Sequence, residues 1–510
     1  MTLPRVLLTV LLVASACGGN PDEAAPTATT TAAPTTSNQA TTSATPTTAA
    51  ASATTTAAPA TTTAASATTT AAPATTTAAP ATTAAPATTT AAPATTTAAP
   101  ATIKVPAPIF TSSNSHAEFS SELQAAFSQS LTSEFETIPL KMGISVAVQQ
   151  GTSGLLWSQA LGSAVGSRPM TTATPIAVMS SSKTFLAALV LTQIEDGLYS
   201  LDDHLPTLLA NNADFQSLDP SIIPNATVEQ YLAQRSGGGI APSGTAAKYF
   251  MMVGPTWKPV DLVRLLEPAG PAGPFRYANA NADLLGMLVE HMGKDHLHAL
   301  YDRAFFQPLN VQAGLLPTIE TPVDMAHPHD DRSAWGGAAG SGWGDLTEIE
   351  IFAGVDSIEA DGRAAWAGAG IVSTAENMAR WAYELYSPSG SAVSASIRQQ
   401  IVESVYDEIV DCCPQPVRYG YMTAFQSLTL GDGTIIETYG HPGGGWGYSS
   451  ALFYSPVLDA SISILANSKR TDAPSTRDGP PRSSCATQIE FSIDPLVCIA
   501  RGIFETLAAN

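Results

Sequence analysis

Basic residues are scarce in this chain. Across 510 residues, 22 lysines and arginines stand against 43 aspartates and glutamates, which gives a formal net charge of −21. Proteins that bind nucleic acid or an anionic membrane surface do so largely through lysine and arginine. The composition therefore argues against both kinds of partner, and the acidic excess favours solubility.

Long apolar runs are also missing. The run from Val6 to Val13 is too short to span a bilayer, but it follows Arg5 and precedes the small residues 14–16, as in an export signal. Cys17 comes next, where a bacterial lipoprotein cysteine would be acylated, although Ala14 stands where leucine is usual. We expect export to the outer face of a bacterial membrane or cell wall, with a lipid anchor on Cys17, or else secretion.

Cysteine is rare as well, and four follow Cys17: Cys412, Cys413, Cys485 and Cys498. They form no C-x-x-C pattern and no His/Cys spacing typical of zinc, so no metal site is predicted from them. In an oxidising compartment an even number predicts up to two disulfides. Adjacent Cys412 and Cys413 pair with each other only under strain, which favours crosslinks to Cys485 and Cys498 and leaves their pairing open.

Bulky apolar residues are almost absent between about Pro21 and Thr102, where a loose TTTAAPA repeat dominates. Such a composition cannot offset chain entropy, so we expect no core there. Its prolines favour extended segments of ~3.1 Å per residue, a reach on the order of 250 Å when fully extended. We therefore divide the chain into an export signal (1–17), a disordered stalk (18–102), whose composition also permits O-glycosylation, and one folded domain (103–510).

The folded part shows regular patterns at both ends. Period-two segments with intervening turns predict strands at 143–148, 155–157, 419–430, 435–439, 449–454 and 460–466. Apolar residues at helical spacing predict helices at 119–135, 180–197, 228–233, 281–292, 376–386 and 495–507. Residues 310–365 fit neither pattern and are expected to form loops over a site. The order predicts an α/β (α+β) domain, with one antiparallel sheet built from both ends, flanking helices and a helical insertion.

The most informative stretch is Val178-Met-Ser-Ser-Ser-Lys-Thr-Phe185. A helix that begins near Ser180 would place Ser180 and Lys183 on one face, since residues three apart are neighbours there. A serine hydroxyl needs an adjacent base to act as a nucleophile at neutral pH, and a lysine whose pKa is lowered can supply it. On its own, this spacing is as compatible with a helix cap and a solvent-facing lysine.

Two further segments carry polar groups at short spacing. In Phe275-Arg-Tyr-Ala-Asn-Ala-Asn281, Tyr277 and Asn279 are two apart before a helix and can both point into a cleft. A phenol near cations can move a proton, and an amide can orient lysine and substrate. In Tyr439-Gly-His-Pro-Gly-Gly-Gly-Trp-Gly447, glycines let the backbone approach a ligand while His441 adds a titratable group. The loop 234–239 is a supporting tight turn.

Together SSSK, YAN and HPG, in this order and at these separations, resemble the serine β-lactamase and penicillin-binding-protein superfamily. The resemblance is greatest to its class C β-lactamase-like branch, with its D-alanyl-D-alanine carboxypeptidases, D-aminopeptidases and esterases. Lesser matches fall in register at 194–203, 228–237, 369–375 and 465–468. The resemblance covers about 120–505 and implies a β-lactamase/transpeptidase-like fold, no cofactor, and a peptide, ester or small-molecule substrate, for example a peptidoglycan stem peptide.

The resemblance also implies roles for single residues. Ser180 is the expected nucleophile, Lys183 assists its deprotonation, Tyr277 is the proton shuttle and Asn279 positions lysine and substrate. The remaining expectations fall on the third motif: His441 stands where lysine is frequent, Gly443 lies against the substrate, and the backbone N–H groups of Ser180 and Gly444 form the oxyanion hole.

One position departs from the pattern. The middle of the third motif usually carries a threonine or serine hydroxyl that helps to hold a substrate carboxylate, and here it is Pro442. Proline has neither a hydroxyl nor an N–H. This departure puts penicillin and D-Ala-D-Ala specificity in doubt, whereas esterase-like relatives tolerate such a loss.

Three other functions are less compatible with these residues. A non-catalytic, cell-wall-associated binding protein would not need the complete set of serine, lysine, tyrosine and asparagine. An α/β-hydrolase would need a G-x-S-x-G elbow, which is absent; the window around Ser341 is Ala339-Gly-Ser-Gly-Trp343. A metal hydrolase could use 327–331 or His296 and His298, but no further ligands have suitable spacing. The sequence therefore predicts an exported serine hydrolase, of carboxypeptidase, esterase or β-lactamase type.

Overall fold

The computed structural model describes residues 104–112, 116–138, 142–239, 257–332, 342–349, 357–408, 410, 417–468 and 495–510. The predicted export signal, the stalk, Ser341 and four of the five cysteines lie outside these residues. The fifth cysteine, Cys498, is disulfide-bonded. Because the other cysteines lie outside the described part, the predicted pairing stays open.

The described residues form runs of strands toward both ends of the domain and a run of helices between them. The α-helices are α1 Ser121–Thr137, α2 Lys183–Glu195, α3 Leu205–Leu208, α4 Ala213–Gln216, α5 Val228–Leu232, α6 Val260–Val263, α7 Asn279–Gly293, α8 Leu297–Tyr301, α9 Ser357–Ala369, α10 Ala375–Tyr386, α11 Ala395–Glu403 and α12 Pro495–Ala508. The strands are β1 Ile144–Gln150, β2 Leu155–Leu161, β3 Ser163–Val165, β4 Arg168–Pro169, β5 Ile176–Ala177, β6 Ala313–Leu315, β7 His329–Asp331, β8 Trp343–Asp345, β9 Ile371–Ser373, β10 Arg418–Tyr419, β11 Ala424–Thr429, β12 Ile435–Gly440, β13 Gly443–Gly445, β14 Tyr448–Ser455 and β15 Ala460–Ala466.

The largest sheet in the described part confirms that both ends of the domain build one sheet. Its order is β10-β11-β12-β14-β15-β1-β2, and β13 pairs beside this path with β14. Neighbouring strands are antiparallel, and Ala466 of β15 lies opposite Ile144 of β1 on one side and Ser449 of β14 on the other. The first and last strands of the described part are therefore adjacent in the sheet, with β2 beyond β1 at the edge.

Alternation along β1 divides the interior into two cores. Val146 and Val148 face a cluster under the packed terminal helices α1 and α12, whereas Ala147 faces the cluster that contains α2 and α10. Successive strand residues point to opposite faces, so one strand supplies both cores. The chain thus forms a mixed α/β domain with helices on both sides of an antiparallel sheet, the β-lactamase/transpeptidase-like fold that was predicted.

The helix after Val178 differs from its predicted form in one respect. Its α-helical part begins at Lys183, and a 3₁₀ turn over Met179–Ser182 precedes it. Most of α2 is buried, and the Phe185 ring stacks on the Trp381 ring at 3.7 Å between centroids, with an interplanar angle of 9°. Because α2 is buried along most of its length, the residues at its start are held in place from several sides.

The described residues between 310 and 365 are more regular than the sequence indicates. The strands β6, β7 and β8 and the helix α9 lie there, and β6 pairs with β9. Their strands of three residues are too short to show a period-two pattern. Among the described helices, none combines the length and apolarity that crossing a bilayer requires.

Candidate active site

The serine turn at 179–182 is fixed by its own polar neighbours. The Val178 N–H donates to the Ile371 carbonyl at 2.9 Å, and the Ser182 Oγ accepts from the Ile371 N–H at 3.1 Å. The Ser181 Oγ donates to the His441 carbonyl at 2.8 Å. Met179 has a φ of 48°, a strained value for a residue with a side chain. Two of the three serines therefore tie the turn down, and Ser180 is the one that faces Lys183.

Lys183 is wholly buried, and three oxygens surround its ammonium. Its Nζ lies 3.2 Å from Ser180 Oγ, 2.8 Å from Asn279 Oδ1 and 2.8 Å from the Gly368 carbonyl oxygen. An ammonium has three N–H donors, so these three bonds are within its capacity. Loss of one proton would turn the nitrogen into an acceptor for the Ser180 hydroxyl, which is the geometry that a general base requires.

The Gly368 carbonyl is a lysine partner that the sequence did not reveal. It reaches Lys183 because α9 contains a kink at Trp366, where φ is 21° and ψ is −117°. The Trp366 side chain is buried against Trp257, with ring centroids 6.4 Å apart. A Cβ at Gly368 would lie 3.4 Å from the Lys183 Nζ, so the backbone approaches the amine closely. A kink produced by tertiary packing leaves no sequence signal.

The Tyr277–Asn279 turn borders the same amine. The Lys183 Nζ lies 5.0 Å from the centre of the Tyr277 ring, within the range of a cation–π contact. The Ala278 N–H, between Tyr277 and Asn279, donates to Gln234 Oε1 at 2.9 Å. The predicted supporting loop at 234–239 therefore acts on the turn directly, through a buried glutamine whose φ is 58°.

The glycine strand lies against the serine turn. A Cβ built at Gly443 would stand 2.8 Å from the Ser180 nitrogen and 2.8 Å from the Val178 carbonyl oxygen, so only glycine fits without a shift. The His441 N–H donates to the Leu452 carbonyl in β14 at 3.2 Å. Because N–H directions alternate along an antiparallel strand, the Gly444 N–H points away from β14. This orientation suits the predicted oxyanion donor, whose role stays a prediction.

His441 is held from both ring nitrogens. It is wholly buried, its Nε2 lies 2.9 Å from the Tyr419 hydroxyl, and its Nδ1 lies against the Pro442 carbonyl oxygen. The His441 ring centre is 6.0 Å from that of Tyr277 and 5.7 Å from that of Tyr419. The sequence pattern predicts a strand at Tyr419 but no role in the site, because the contact with His441 depends on how β10 lies in the sheet.

One buried carboxyl near the lysine was also missed. Asp283 lies one helical turn after Asn279 in α7, is 5% exposed, and has an Oδ1 without a hydrogen-bond partner in the described part of the chain. Burial raises the pKa of Asp283 to about 8, although the nearby positive charge of Lys183 acts to lower that pKa. The carboxyl is therefore largely protonated at neutral pH. A carboxyl one turn below Asn279 could have been noticed in the sequence, but its burial could not.

The histidines considered as metal ligands have other partners. The His327 Nδ1 lies 2.8 Å from Asp345 Oδ2, the His329 Nδ1 lies 2.9 Å from the His327 carbonyl oxygen, and the His298 Nδ1 faces the Leu315 N–H at 3.4 Å. Within the residues that the structure describes, no group of three or more His, Cys, Asp or Glu side chains is arranged to hold a metal ion. By contrast, Ser180, Lys183, Tyr277, Asn279, His441, Gly443 and Gly444 come together.

Comparison with known proteins agrees with this architecture. The model of the family described as Beta-lactamase matches residues 141–482, more than half of the chain. The D-amino acid amidase from Ochrobactrum anthropi SV3, complexed with L-phenylalanine amide, is 18% identical with a TM-score of 0.58, over 76% of this chain and 99% of that chain. A D-stereospecific amidohydrolase from Streptomyces sp. is 20% identical with a TM-score of 0.52, over 68% of this chain and 94% of that chain. A penicillin binding protein from Bacillus halodurans is 19% identical with a TM-score of 0.51, over 69% of this chain and 97% of that chain. At such identities the likeness to solved structures establishes the fold.

Proposed function

The chain belongs to the β-lactamase family of serine hydrolases. We propose that it is an exported hydrolase that cleaves amides through an acyl-enzyme on Ser180. The observation that carries this proposal is the position of Lys183. Its buried Nζ contacts both Ser180 Oγ and Asn279 Oδ1, beside the Tyr277 ring. A nucleophile, a base and an orienting amide within hydrogen-bond distance are what acyl transfer requires.

The proposed reaction has two steps, acylation of Ser180 and hydrolysis of the acyl-enzyme. The Ser180 oxygen attacks the substrate carbonyl carbon while its proton passes to the unprotonated Lys183 amine, and the N–H groups of Ser180 and Gly444 hold the oxyanion. The C–N bond then breaks, and the leaving amine takes up the proton by way of the Tyr277 hydroxyl. In the second step water attacks the acyl ester, loses its proton along the same route and restores the Ser180 hydroxyl.

The substrate class follows from the third motif. A substrate carboxylate beside the scissile bond would normally be held by a hydroxyl at the position of Pro442, and proline provides none. The proposal therefore favours neutral amides and esters over D-alanyl-D-alanine peptides and penicillins. Amides of D-amino acids are the first class to test, because one of the proteins compared above is named a D-amino acid amidase and another a D-stereospecific amidohydrolase.

We expect the full-length protein to hydrolyse an N-acyl-D-alanyl-D-alaninamide at least about tenfold faster, in kcat/KM, than the same peptide ending in a free carboxylate. Loss of a hydrogen bond to a charged group, about 1.5–3 kcal/mol, corresponds to such a factor. D-phenylalanine amide, a p-nitrophenyl ester and benzylpenicillin complete the panel. The variant Pro442→Thr introduces a hydroxyl at this position. It should reduce the ratio of the two kcat/KM values, because it should raise kcat/KM only for the peptide with a free carboxylate.

Three results would contradict parts of this proposal. Faster hydrolysis of the carboxylate peptide would identify a carboxypeptidase, and penicilloate formed at a high rate would identify a β-lactamase. Absence of both turnover and a covalent adduct across the panel would favour the non-catalytic, cell-wall-associated binding protein. Ser180→Ala, run beside each substrate, shows whether any activity belongs to this site.

The location of the enzyme is also proposed from the sequence. Export, acylation of Cys17 and the stalk at 18–102 would place the domain at the outer face of a membrane, within reach of peptidoglycan stem peptides. We expect labelled palmitate to be incorporated into the full-length chain expressed in a bacterium that processes lipoproteins, and not into the Cys17→Ala variant. Equal labelling of both, or labelling of neither, would exclude a lipid anchor on Cys17 and leave simple secretion.

A further inference from the structure

His441 occupies an enclosed environment in which its neighbours decide its protonation. Its side chain and that of Tyr419 are almost entirely buried, at 0% and 1% exposure. Among the described residues, two titratable side chains lie against the imidazole, Tyr419 from β10 and Tyr277 from the turn before α7, and the Lys183 Nζ lies 5.0 Å from the centre of the Tyr277 ring. With little access to bulk water, the hydrogen bonds of the ring fix its state.

The partners of the two ring nitrogens determine which one carries the proton. The Nδ1 lies against the Pro442 carbonyl oxygen, and a carbonyl only accepts, so Nδ1 must carry a hydrogen. In a neutral imidazole Nε2 is then the acceptor, and the Tyr419 hydroxyl at 2.9 Å is the donor. A phenol that donates to Nε2 stabilises the neutral ring, whereas a carboxylate at that place would stabilise the cation.

We infer that Tyr419 is a positioning residue, whose hydroxyl holds His441 as the neutral tautomer with its proton on Nδ1. The assignment rests on the proposed function in so far as His441 borders the acyl site. The Tyr419 ring is held for this task by edge-to-face contacts with Phe275 at 5.4 Å and Tyr277 at 6.0 Å, and its carbonyl oxygen accepts from the Tyr406 N–H.

This arrangement has a consequence for recognition. A neutral His441, whose Nε2 accepts a hydrogen bond from the Tyr419 hydroxyl, offers a substrate carboxylate no positive charge. His441 and Pro442 therefore give the third motif a surface without positive charge. The His441 ring packs against the adjacent Tyr277 ring and helps to hold it in place. The preference for uncharged groups beside the scissile bond therefore depends on two residues rather than on the proline alone.

The test combines a spectrum with kinetics. Full-length protein with ¹⁵N-labelled histidine is studied by long-range ¹H–¹⁵N correlation, and the His441 signals are assigned by their loss in His441→Gln. We expect a protonated Nδ1 and an unprotonated Nε2 at neutral pH. In Tyr419→Phe, which keeps the ring and removes only the donor, the Nε2 resonance should shift and the tautomers should mix. Because Tyr419→Phe removes one buried hydrogen bond, its kcat on the best amide should be between about 5-fold and about 100-fold lower than that of the wild type, and KM should change less.

The control is Tyr199→Phe, which also removes a buried hydroxyl, one that donates to Gln193 Oε1 at 2.9 Å in another part of the helical region. It should change neither the His441 spectrum nor kcat by more than about twofold. A wild-type spectrum with the proton on Nε2, or unchanged His441 nitrogen signals in Tyr419→Phe, would overturn the inference. Because the spectrum needs no substrate, the predicted tautomer without turnover would count against the proposed function alone.

Discussion

Ser180→Ala should reduce kcat by about 10⁴-fold or more while leaving the fold intact. In serine hydrolases loss of the nucleophile removes nearly all covalent catalysis and leaves only the contribution of binding and the oxyanion hole. Ser180 is the serine whose hydroxyl lies 3.2 Å from Lys183 Nζ, because the Ser181 hydroxyl is bonded to the His441 carbonyl and that of Ser182 accepts from Ile371. The hydroxyls of Ser181 and Ser182 therefore have structural roles.

The measurement is turnover of the best amide, accompanied by intact-mass spectrometry after reaction with a fluorophosphonate. The wild type should gain one adduct, located by digestion on the peptide that contains Ser180, and Ser180→Ala should gain none. The matched control is Ser181→Ala, which removes the adjacent buried hydroxyl and should still be labelled. Undiminished turnover in Ser180→Ala, or loss of labelling in Ser181→Ala alone, would refute the assignment of the nucleophile.

Asp283→Asn should weaken the pH dependence of stability. In the folded protein the pKa of Asp283 is about 8, whereas an unfolded aspartate titrates near 4. Between these values the folded state holds one proton more than the unfolded state. Each pH unit between about pH 5 and pH 8 therefore lowers the free energy of unfolding by about 1.4 kcal/mol, and asparagine removes this slope.

The slope can be measured by denaturant unfolding at pH 5, 6, 7 and 8. Asp361→Asn should flatten it by a similar amount, because burial also raises the pKa of Asp361 to about 8. Asp219→Asn is the negative control: Asp219 is exposed, hydrogen bonds from Ser221 lower its pKa, and it is ionised in both states above pH 5. Parallel curves for wild type and Asp283→Asn would show that the carboxyl is ionised in the folded protein at neutral pH.

The order of elements was readable from the chain because the terminal segments have strong local patterns. Strands β1, β14 and β15 consist of alternating or continuous apolar residues between glycine turns, and the helices α1 and α12 carry apolar stripes. The helical patterns between them indicated the helical insertion. Residues 310–365 escaped prediction because three-residue strands are stabilised by their partners, such as β9 for β6, and not by their own sequence.

The sequence by itself determined the reactive groups: a serine and a lysine three residues apart, a tyrosine and an asparagine two apart, and a glycine strand that only glycine can bring close to Ser180. The spacings within these motifs depend only on local sequence, since side chains a few residues apart lie on one surface when the backbone is regular. Only the tertiary structure decided what surrounds them. The Gly368 carbonyl lies 185 positions from Lys183 and the Tyr419 hydroxyl 22 positions from His441, and Asp283 acquires its raised pKa through burial. Hydrogen bonds and desolvation depend on distance in space, which one sequence does not record when the contacts join distant segments.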